Sequence, residues 1–196
     1  IYVAKNNIFL GYIVVQDKIK EESKEVISYL NSKGKTIMLT GDNSSVANKV
    51  ASYLNLTSYK ASLLPQDKVK EVENIIKNKG KNDVVCYVGD GINDAPSLMI
   101  ADVGISMGKV GSDAAIEASD VVITNDNLTK IKLSKSIAKK VITIVNENIY
   151  FAIGIKVLVL ILSALGYAEM WLAIFADVGV SFLAILNSLR VNLIKK

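Results

Sequence analysis

Histidine is absent from the 196-residue chain, and cysteine occurs once, at Cys86. Without histidine there is no imidazole to ligate zinc or to serve as a general base near neutral pH. A single cysteine excludes an intrachain disulfide. Its place in the apolar run Val84-Val85-Cys86-Tyr87-Val88 predicts a buried thiol that behaves as a small hydrophobe. Net charge is also scarce: the formal value of +4 does not by itself argue for nucleic acid, and basic and aromatic residues are not interleaved. No signal peptide is visible, and the chain opens in a strand-like run without an initiator methionine, as a piece of a longer protein does. What abounds is apolar residue, 51% of the chain, with a mean hydropathy of +0.34. The excess is local. From Ile149 to Leu189 the only charges are Lys156, Glu169 and Asp177, whereas the preceding stretch is mixed and rich in lysine. A boundary therefore falls near Asn146 to Ile149.

The first part reads as alternating strands and helices. Ile1 to Ala4 and Ile8 to Val15 read as strands joined by Asn6-Asn7, residues that tolerate positive φ in a tight hairpin. Lys18 to Asn31 carries Ile19, Val26, Ile27 and Leu30 at helical spacing, and Gly34 follows. Thr36 to Leu39 is a short strand and Ser44 to Leu54 a helix. Pro65 opens a third helix with Val69, Val72, Ile75 and Ile76 on one face and Gly80 as its stop. Val84 to Val88 is a strand, Ala95 to Ala101 a short helix, and Val103 to Ser106 and Val121 to Ile123 are strands around a helix at Asp113 to Ala118. This order predicts an α/β fold with a parallel sheet and helices on both faces. Ligands in such folds sit beyond the carboxyl ends of the strands. The turn Thr40-Gly41-Asp42 and the loop Gly89 to Asp94 both lie at such ends and are expected to meet.

After Asn127 comes a basic helix with Lys130, Lys132, Lys135, Lys139 and Lys140. Two apolar runs follow, Ile149 to Leu165 and Met170 to Leu189, each close to the roughly 20 residues that span a bilayer core. They predict a transmembrane hairpin. Lys139 and Lys140 before it, and Arg190, Lys195 and Lys196 after it, place both ends in the cytoplasm. The expected boundaries are a hairpin over 1–15, an α/β portion over 16–133, a basic linker helix over 134–148, membrane helices over 149–165 and 170–189, and a tail over 190–196.

Four features carry chemistry. Asp90 and Asp94 flank Gly91 and Asn93 at the end of an apolar strand. Two carboxylates so close stay ionised together when a cation lies between them, and oxygen ligands on a short loop suit Mg²⁺. The plainer alternative, a helix cap at Asp94 and a turn at Asp90, explains the acids singly and not as a pair. Thr40-Gly41-Asp42 offers a hydroxyl and free N–H groups that can hold a phosphate, or it is a turn before a helix cap. Lys68 stands in the first helical turn after Pro65, where it can neutralise a phosphate or lie solvated. Lys156 and Asp177 each fall near the middle of a span, where a charge costs roughly 2.5–3.5 kcal/mol or more, so a function or a pairing is expected. Asn148, Ala152, Lys156 and Ser163 share one helical face, and Asp177, Ser181, Ala184 and Ser188 share another. Phe175, Val178, Phe182, Ile185 and Leu189 form an apolar face opposite the latter. An ion pair that only pins the hairpin is the alternative to a transport role.

With Thr40-Gly41-Asp42-Asn43, Leu64-Pro65-Gln66-Asp67-Lys68, Gly89-Asp90-Gly91-Ile92-Asn93-Asp94-Ala95-Pro96 and Ala101-Asp102-Val103-Gly104-Ile105 in this order, the chain resembles the C-terminal part of heavy-metal-transporting P-type ATPases. The resemblance runs over essentially the whole chain. It implies a phosphorylation-domain portion of haloacid dehalogenase fold and the last two membrane helices of a multi-pass protein of the plasma membrane, with 1–148 and 190–196 cytoplasmic. It implies Mg²⁺ and ATP as cofactors, with Mg²⁺ at Asp90 and with Asn93 and Asp94 organising that loop. It implies phosphate contacts from Thr40 and Lys68, and places Asp42 near the nucleotide or the dephosphorylating water. Lys156 and Asp177 resemble the zinc/cadmium/lead branch, with Asp177 at the transported metal and Lys156 as its counter-ion. The copper branch's last-helix pattern of a methionine with paired serines is absent, since no two serines are adjacent in 170–189. The partners implied are lipid, the transported metal and upstream domains of the same pump. The phosphorylated aspartate of the Asp-Lys-Thr-Gly-Thr motif is also missing, as are the actuator domain, the membrane Cys-Pro-Cys and all but a possible closing hairpin (1–15) of the nucleotide domain. This chain alone is therefore expected to form no phosphoenzyme. The alternatives are a non-catalytic membrane-anchored remnant that binds Mg²⁺ or phosphate, a copper-type fragment, and a small phosphatase fused to an anchor.

Overall fold

The computed structural model describes residues 2–13, 18–89, 92–108, 113–125, 127–167 and 169–193. The chain forms two compact units, Ile1–Leu128 and Thr129–Lys196.

The first unit opens with an antiparallel hairpin of β1 (Tyr2–Lys5) and β2 (Ile8–Tyr12). Asn6 and Asn7 both take positive φ, at 49° and 61°, which is the backbone a two-residue hairpin turn demands. The Tyr2 ring lies 6.2 Å from that of Phe9 and 6.4 Å from that of Tyr12, yet these side chains stay exposed.

The α/β body follows as α1 (Ser23–Asn31), β3 (Ile37–Leu39), α2 (Ser44–Leu54), β4 (Ser58–Lys60), α3 (Pro65–Asn78), β5 (Cys86–Gly89), α4 (Ala95–Ile100), β6 (Val103–Met107), α5 (Asp113–Glu117) and β7 (Val121–Ile123). All strand pairs here are parallel, as the alternation predicts. They form two groups, β3–β4 and β5–β6–β7. Among the described residues, β3 and β5 do not pair with each other, and each keeps one edge unpaired. The core is built from Val26, Ala47, Ala51, Leu54, Val72, Leu98, Ile105, Met107, Ala115 and Ile123. Fully burying a side chain such as Leu98 or Val72 contributes about 1.5–3 kcal/mol.

Three local differences from the sequence reading have physical causes. β4 is absent from that reading, because Ser58-Tyr59-Lys60 has no apolar signal. The backbone makes it a strand: Thr57 and Ser58 donate N–H bonds to Thr36 O, and Thr40 N–H donates to Lys60 O. Helix α1 starts at Ser23 rather than Lys18, because the Lys-Ile-Lys-Glu-Glu turn before it has only the half-buried Ile19 to pack. Cys86, expected to be buried, is exposed. Strand alternation puts Tyr87 and Gly89 on one face of β5 and Cys86 and Val88 on the other, and that second face is uncovered.

At the opposite end of β5 from Gly89, Asp102 accepts bonds from Lys79 Nζ and, at 2.7 Å, from Val85 N–H. Lys79 first, then the Val85 amide, holds the Asp102 carboxyl below its ordinary value. A depressed carboxyl stabilises the fold above the unfolded value of about 3.9 and loses that contribution as pH falls through the folded one. Wild type is therefore expected to melt above Asp102→Asn at pH 6. The gap should narrow as pH drops below about 4. A gap independent of pH would mean that Asp102 acts only as a neutral hydrogen-bond acceptor.

The second unit is a helical hairpin. Helix α6 (Thr129–Ala164) is one uninterrupted helix of 36 residues. The sequence reading sets a basic helix over 134–148 apart from an apolar one over 149–165, but no proline, glycine or cap breaks the backbone between them. The helix closes with Gly166 N–H on Ser163 O and Tyr167 N–H on Leu162 O. The return segment contains α7 (Met170–Ile174), one π turn (Phe175–Gly179), α8 (Val180–Ser188) and a 3₁₀ end (Leu189–Leu193). Both helical segments are long and apolar enough to cross a membrane. Ile144, Ala176 and Val180 are buried in this unit.

Candidate functional site

The first cluster is built on the carboxyl end of β5. Asp94 closes a 3₁₀ turn (Ile92–Asp94) and immediately precedes α4. Its side chain makes no capping bond to that helix. It is instead drawn back over the strand. Asp94 Oδ1 accepts from Lys68 Nζ at 2.9 Å and from Tyr87 Oη at 2.9 Å, and Asp94 is only 8% exposed. The helix-cap alternative for Asp94 therefore fails. Gly89 is what makes room: a Cβ there would lie 2.8 Å from Asp94 Cβ and 3.0 Å from Asp94 Oδ2. Asn93 is exposed beside it. Asp90 and Gly91 lie outside the described residues.

Lys68 reaches this loop from the first turn of α3. Pro65 starts that helix, and the Asp67 carboxylate accepts the Leu64 N–H at 3.2 Å. The Lys68–Asp94 ion pair is largely covered, with side chains 20% and 11% exposed.

The second cluster is the turn after β3. Thr40 Oγ1 donates to Asp42 Oδ2 at 3.0 Å and accepts the Asp42 N–H at 3.1 Å. Gly41 lies between them, 3.4 Å by its Cβ position from Leu63 O. The cap of α2 is Asn43, whose Oδ1 accepts from Val46 N–H, so Asp42 is not spent on the helix. Segment 62–68 ties the two clusters together. Ser62 N–H donates to Asp42 O and Leu63 N–H to Thr40 O, and five residues after Leu63 comes Lys68. The turn at Thr40-Gly41-Asp42 is thus bonded to segment 62–63, while Lys68, further along the same segment, is bonded to Asp94; among the described residues no hydrogen bond joins Thr40 or Asp42 directly to Lys68 or Asp94. Tyr87 belongs to the Asp94 cluster, although its place in an apolar run gives no sign of this.

The third cluster lies in the helical hairpin. Lys156 Nζ is 3.0 Å from Asp177 Oδ1. Asp177 sits within the π turn, a form of helix that recurs at functional sites. Gly179 allows that turn to pack, because a Cβ there would lie 2.6 Å from the Phe175 ring. Ser181 Oγ donates to Asp177 O at 2.6 Å. Nearer the ends, Asn148 Nδ2 donates to Ala184 O and to Ser188 Oγ, and Arg190 Nη1 pairs with Glu147 Oε2 at 2.7 Å. The two polar faces expected from helical spacing face each other. Phe175, Val178, Phe182, Ile185 and Leu189 are exposed.

A parallel α/β body with Thr40-Gly41-Asp42 after β3, Lys68 in the first turn of α3 and the sequence Gly-Asp-Gly from Gly89 onward points to a class, the haloacid dehalogenase-like hydrolases. The model of that family matches residues 2–102, and the chain belongs to it. Over 193 residues it is 46% identical to the zinc-transporting ATPase of Synechocystis sp., covering 97% of this chain and 27% of that protein. It is 44% identical over 197 residues to the cadmium, zinc and cobalt-transporting ATPase of Bacillus subtilis, covering 100% of this chain and 28% of that one. Among solved structures, a zinc-transporting PIB-type ATPase in the E2.Pi state superposes with a TM-score of 0.82 at 37% identity, over 97% of this chain and 31% of that chain. The chain spans a little over a quarter of the length of these curated relatives.

Proposed function

We propose that the chain is the C-terminal portion of an ATP-driven pump for divalent heavy-metal cations such as Zn²⁺ and Cd²⁺. The observation that carries this reading is the extent of the similarity: both units, from the strand-end loops through the helical hairpin, align with metal-transporting ATPases. In this reading the hairpin lies in the plasma membrane, with Lys139, Lys140 and Arg190 at its cytoplasmic side. The aspartate that takes the phosphoryl group is supplied by the upstream part of the protein.

The residues present fit a Mg²⁺ site of the sparse kind that this ion prefers, with one or two carboxylates and the remaining positions left to phosphate and water. Asp90 and Asp94 are the carboxylates. Among the described residues Asp94 Oδ2 accepts no hydrogen bond, while Oδ1 is occupied by its two donors. When bound, the ion neutralises charge on the phosphoryl oxygens. Lys68 brings an ammonium to the same place, and its remaining N–H donors can hold a phosphate oxygen. Thr40 presents its hydroxyl at the end of β3. Asp42, already an acceptor for that hydroxyl, is assigned to the nucleotide or to the water that removes the phosphate.

In the hairpin, Asp177 is the cargo ligand. A carboxylate suits a divalent cation better than soft monovalent copper. Lys156 is the counter-ion that returns to Asp177 once the metal has left. The pair is exposed on this unit, with side chains 56% and 71% accessible. Charges within a bilayer face protein or water rather than lipid, so the upstream helices of the pump are expected to cover this side.

The test is metal-stimulated ATP hydrolysis by the longer protein. Stimulation by Zn²⁺ or Cd²⁺, with little by Cu⁺, is the expected result. Stimulation by Cu⁺ alone would overturn the cargo assignment, and absence of any phosphoenzyme would overturn the pump.

A further inference from the structure

The Asp94 carboxylate has two oxygens in different circumstances. Oδ1 carries two donors, Lys68 Nζ and Tyr87 Oη, each at 2.9 Å. Oδ2 lies over Gly89, 3.0 Å from where a Cβ on that residue would stand. Which oxygen faces Gly89 depends on rotation about the last bond of the aspartate, and that rotation is soft and roughly two-fold. Lys68 cannot settle it alone. Its ammonium sits on a flexible four-carbon stem and follows whichever oxygen is offered. The Tyr87 hydroxyl is different, because it is held at the end of a rigid ring rooted in a strand. Alternation along β5 places Tyr87 on the same face as Gly89, so the ring and the vacant Cβ position lie side by side under Asp94.

We propose that Tyr87 is a positioning residue of the phosphoryl-transfer site: its hydroxyl locks the Asp94 carboxylate with Oδ1 on Lys68 and Oδ2 over Gly89, left free as a ligand for the proposed metal. This rests on the reading of the loop Gly89 to Asp94 as a Mg²⁺ site. A phenylalanine fills the same space and packs the same strand face, yet it leaves the carboxylate free to turn. Hydrogen-bond partners that orient a metal's ligand commonly govern its affinity by 10–100-fold.

The probe is Mn²⁺, which shares the oxygen preference of Mg²⁺. Its binding to the full chain in lipid nanodiscs is read from the loss of the free-ion EPR signal. Tyr87→Phe is expected to weaken Mn²⁺ binding about tenfold while its thermal midpoint stays within a few degrees of wild type. In an Asp94→Asn background there is no carboxylate left to aim, so adding Tyr87→Phe should change affinity less than about twofold. Equal affinity in wild type and Tyr87→Phe overturns the role of Tyr87 and leaves the metal loop standing. So does an equal loss in both backgrounds, since the hydroxyl would then act elsewhere. No Mn²⁺ binding by the unaltered chain overturns the metal loop itself, and the role of Tyr87 with it.

Discussion

Asp177→Ala is expected to lower Zn²⁺- and Cd²⁺-stimulated ATP hydrolysis of the proposed pump by at least about 100-fold, equivalent to about 2.7 kcal/mol. The substitution removes the ligand and also strands the Lys156 ammonium 3.0 Å away without its partner. A positive charge fixed at the cargo position repels any divalent cation that approaches. Asp177→Asn should fail nearly as badly, since it keeps the shape and the π turn but not the charge. Lys156→Ala should behave differently. The carboxylate remains and no longer has a competitor, so metal binding persists while release slows. Initial rates over a range of Zn²⁺ concentrations separate these outcomes. Unchanged stimulation in Asp177→Ala would reduce the ion pair to a pin between two helices.

Asp94→Ala is the second large effect. It removes the acceptor for both Lys68 and Tyr87 and leaves a largely covered ammonium unpaired. Stranding a fully buried charge costs about 3–5 kcal/mol. With a fifth of the lysine side chain still in water, about 1–3 kcal/mol is expected here. Asp94→Asn keeps an oxygen acceptor for both donors, so its stability loss should be under about 1 kcal/mol. In phosphoenzyme formation by the longer protein, however, the two variants should be equally impaired, because neither has a carboxylate to offer Mg²⁺. Denaturant unfolding and phosphoenzyme level from ATP are the two measurements. If Asp94→Asn formed phosphoenzyme normally, Asp94 would be a purely structural anchor for α3.

Legibility in the sequence followed the kind of force involved. Elements held by apolar packing could be read at once: α2 and β7 lie where periodicity puts them, and Asn6-Asn7 announces its turn. β4 could not be read, because three polar residues become a strand only through backbone bonds to Thr36 and Thr40. The π turn around Asp177 is equally silent, since no residue type in Phe175–Gly179 sets it apart from an ordinary α-helical turn. At the site, the expectation of a two-acid loop rests on residue types alone; Asp94 stands just beyond the end of β5, and Asp90 lies outside the described residues. Lys68 was visible as a lysine after Pro65, but nothing local reveals that it reaches across 26 positions to Asp94. Tyr87 reads as core because its ring does belong there, and only its hydroxyl does not.

The unpaired edges of β3 and β5 have a kinetic consequence. Among the described residues of 18–128, every strand pairing is made between strands that follow one another in the chain, through crossovers of modest length. A strand from the upstream part of the proposed pump that docked on the free edge of β3 or β5 would arrive from outside that sequence. Its loop-closure entropy must then be overcome before any ladder bond forms. Such completion of the sheet would be a long-range event in folding. Before it, Thr40 and Gly89 would sit at the ends of strands that each have a neighbour on one side only.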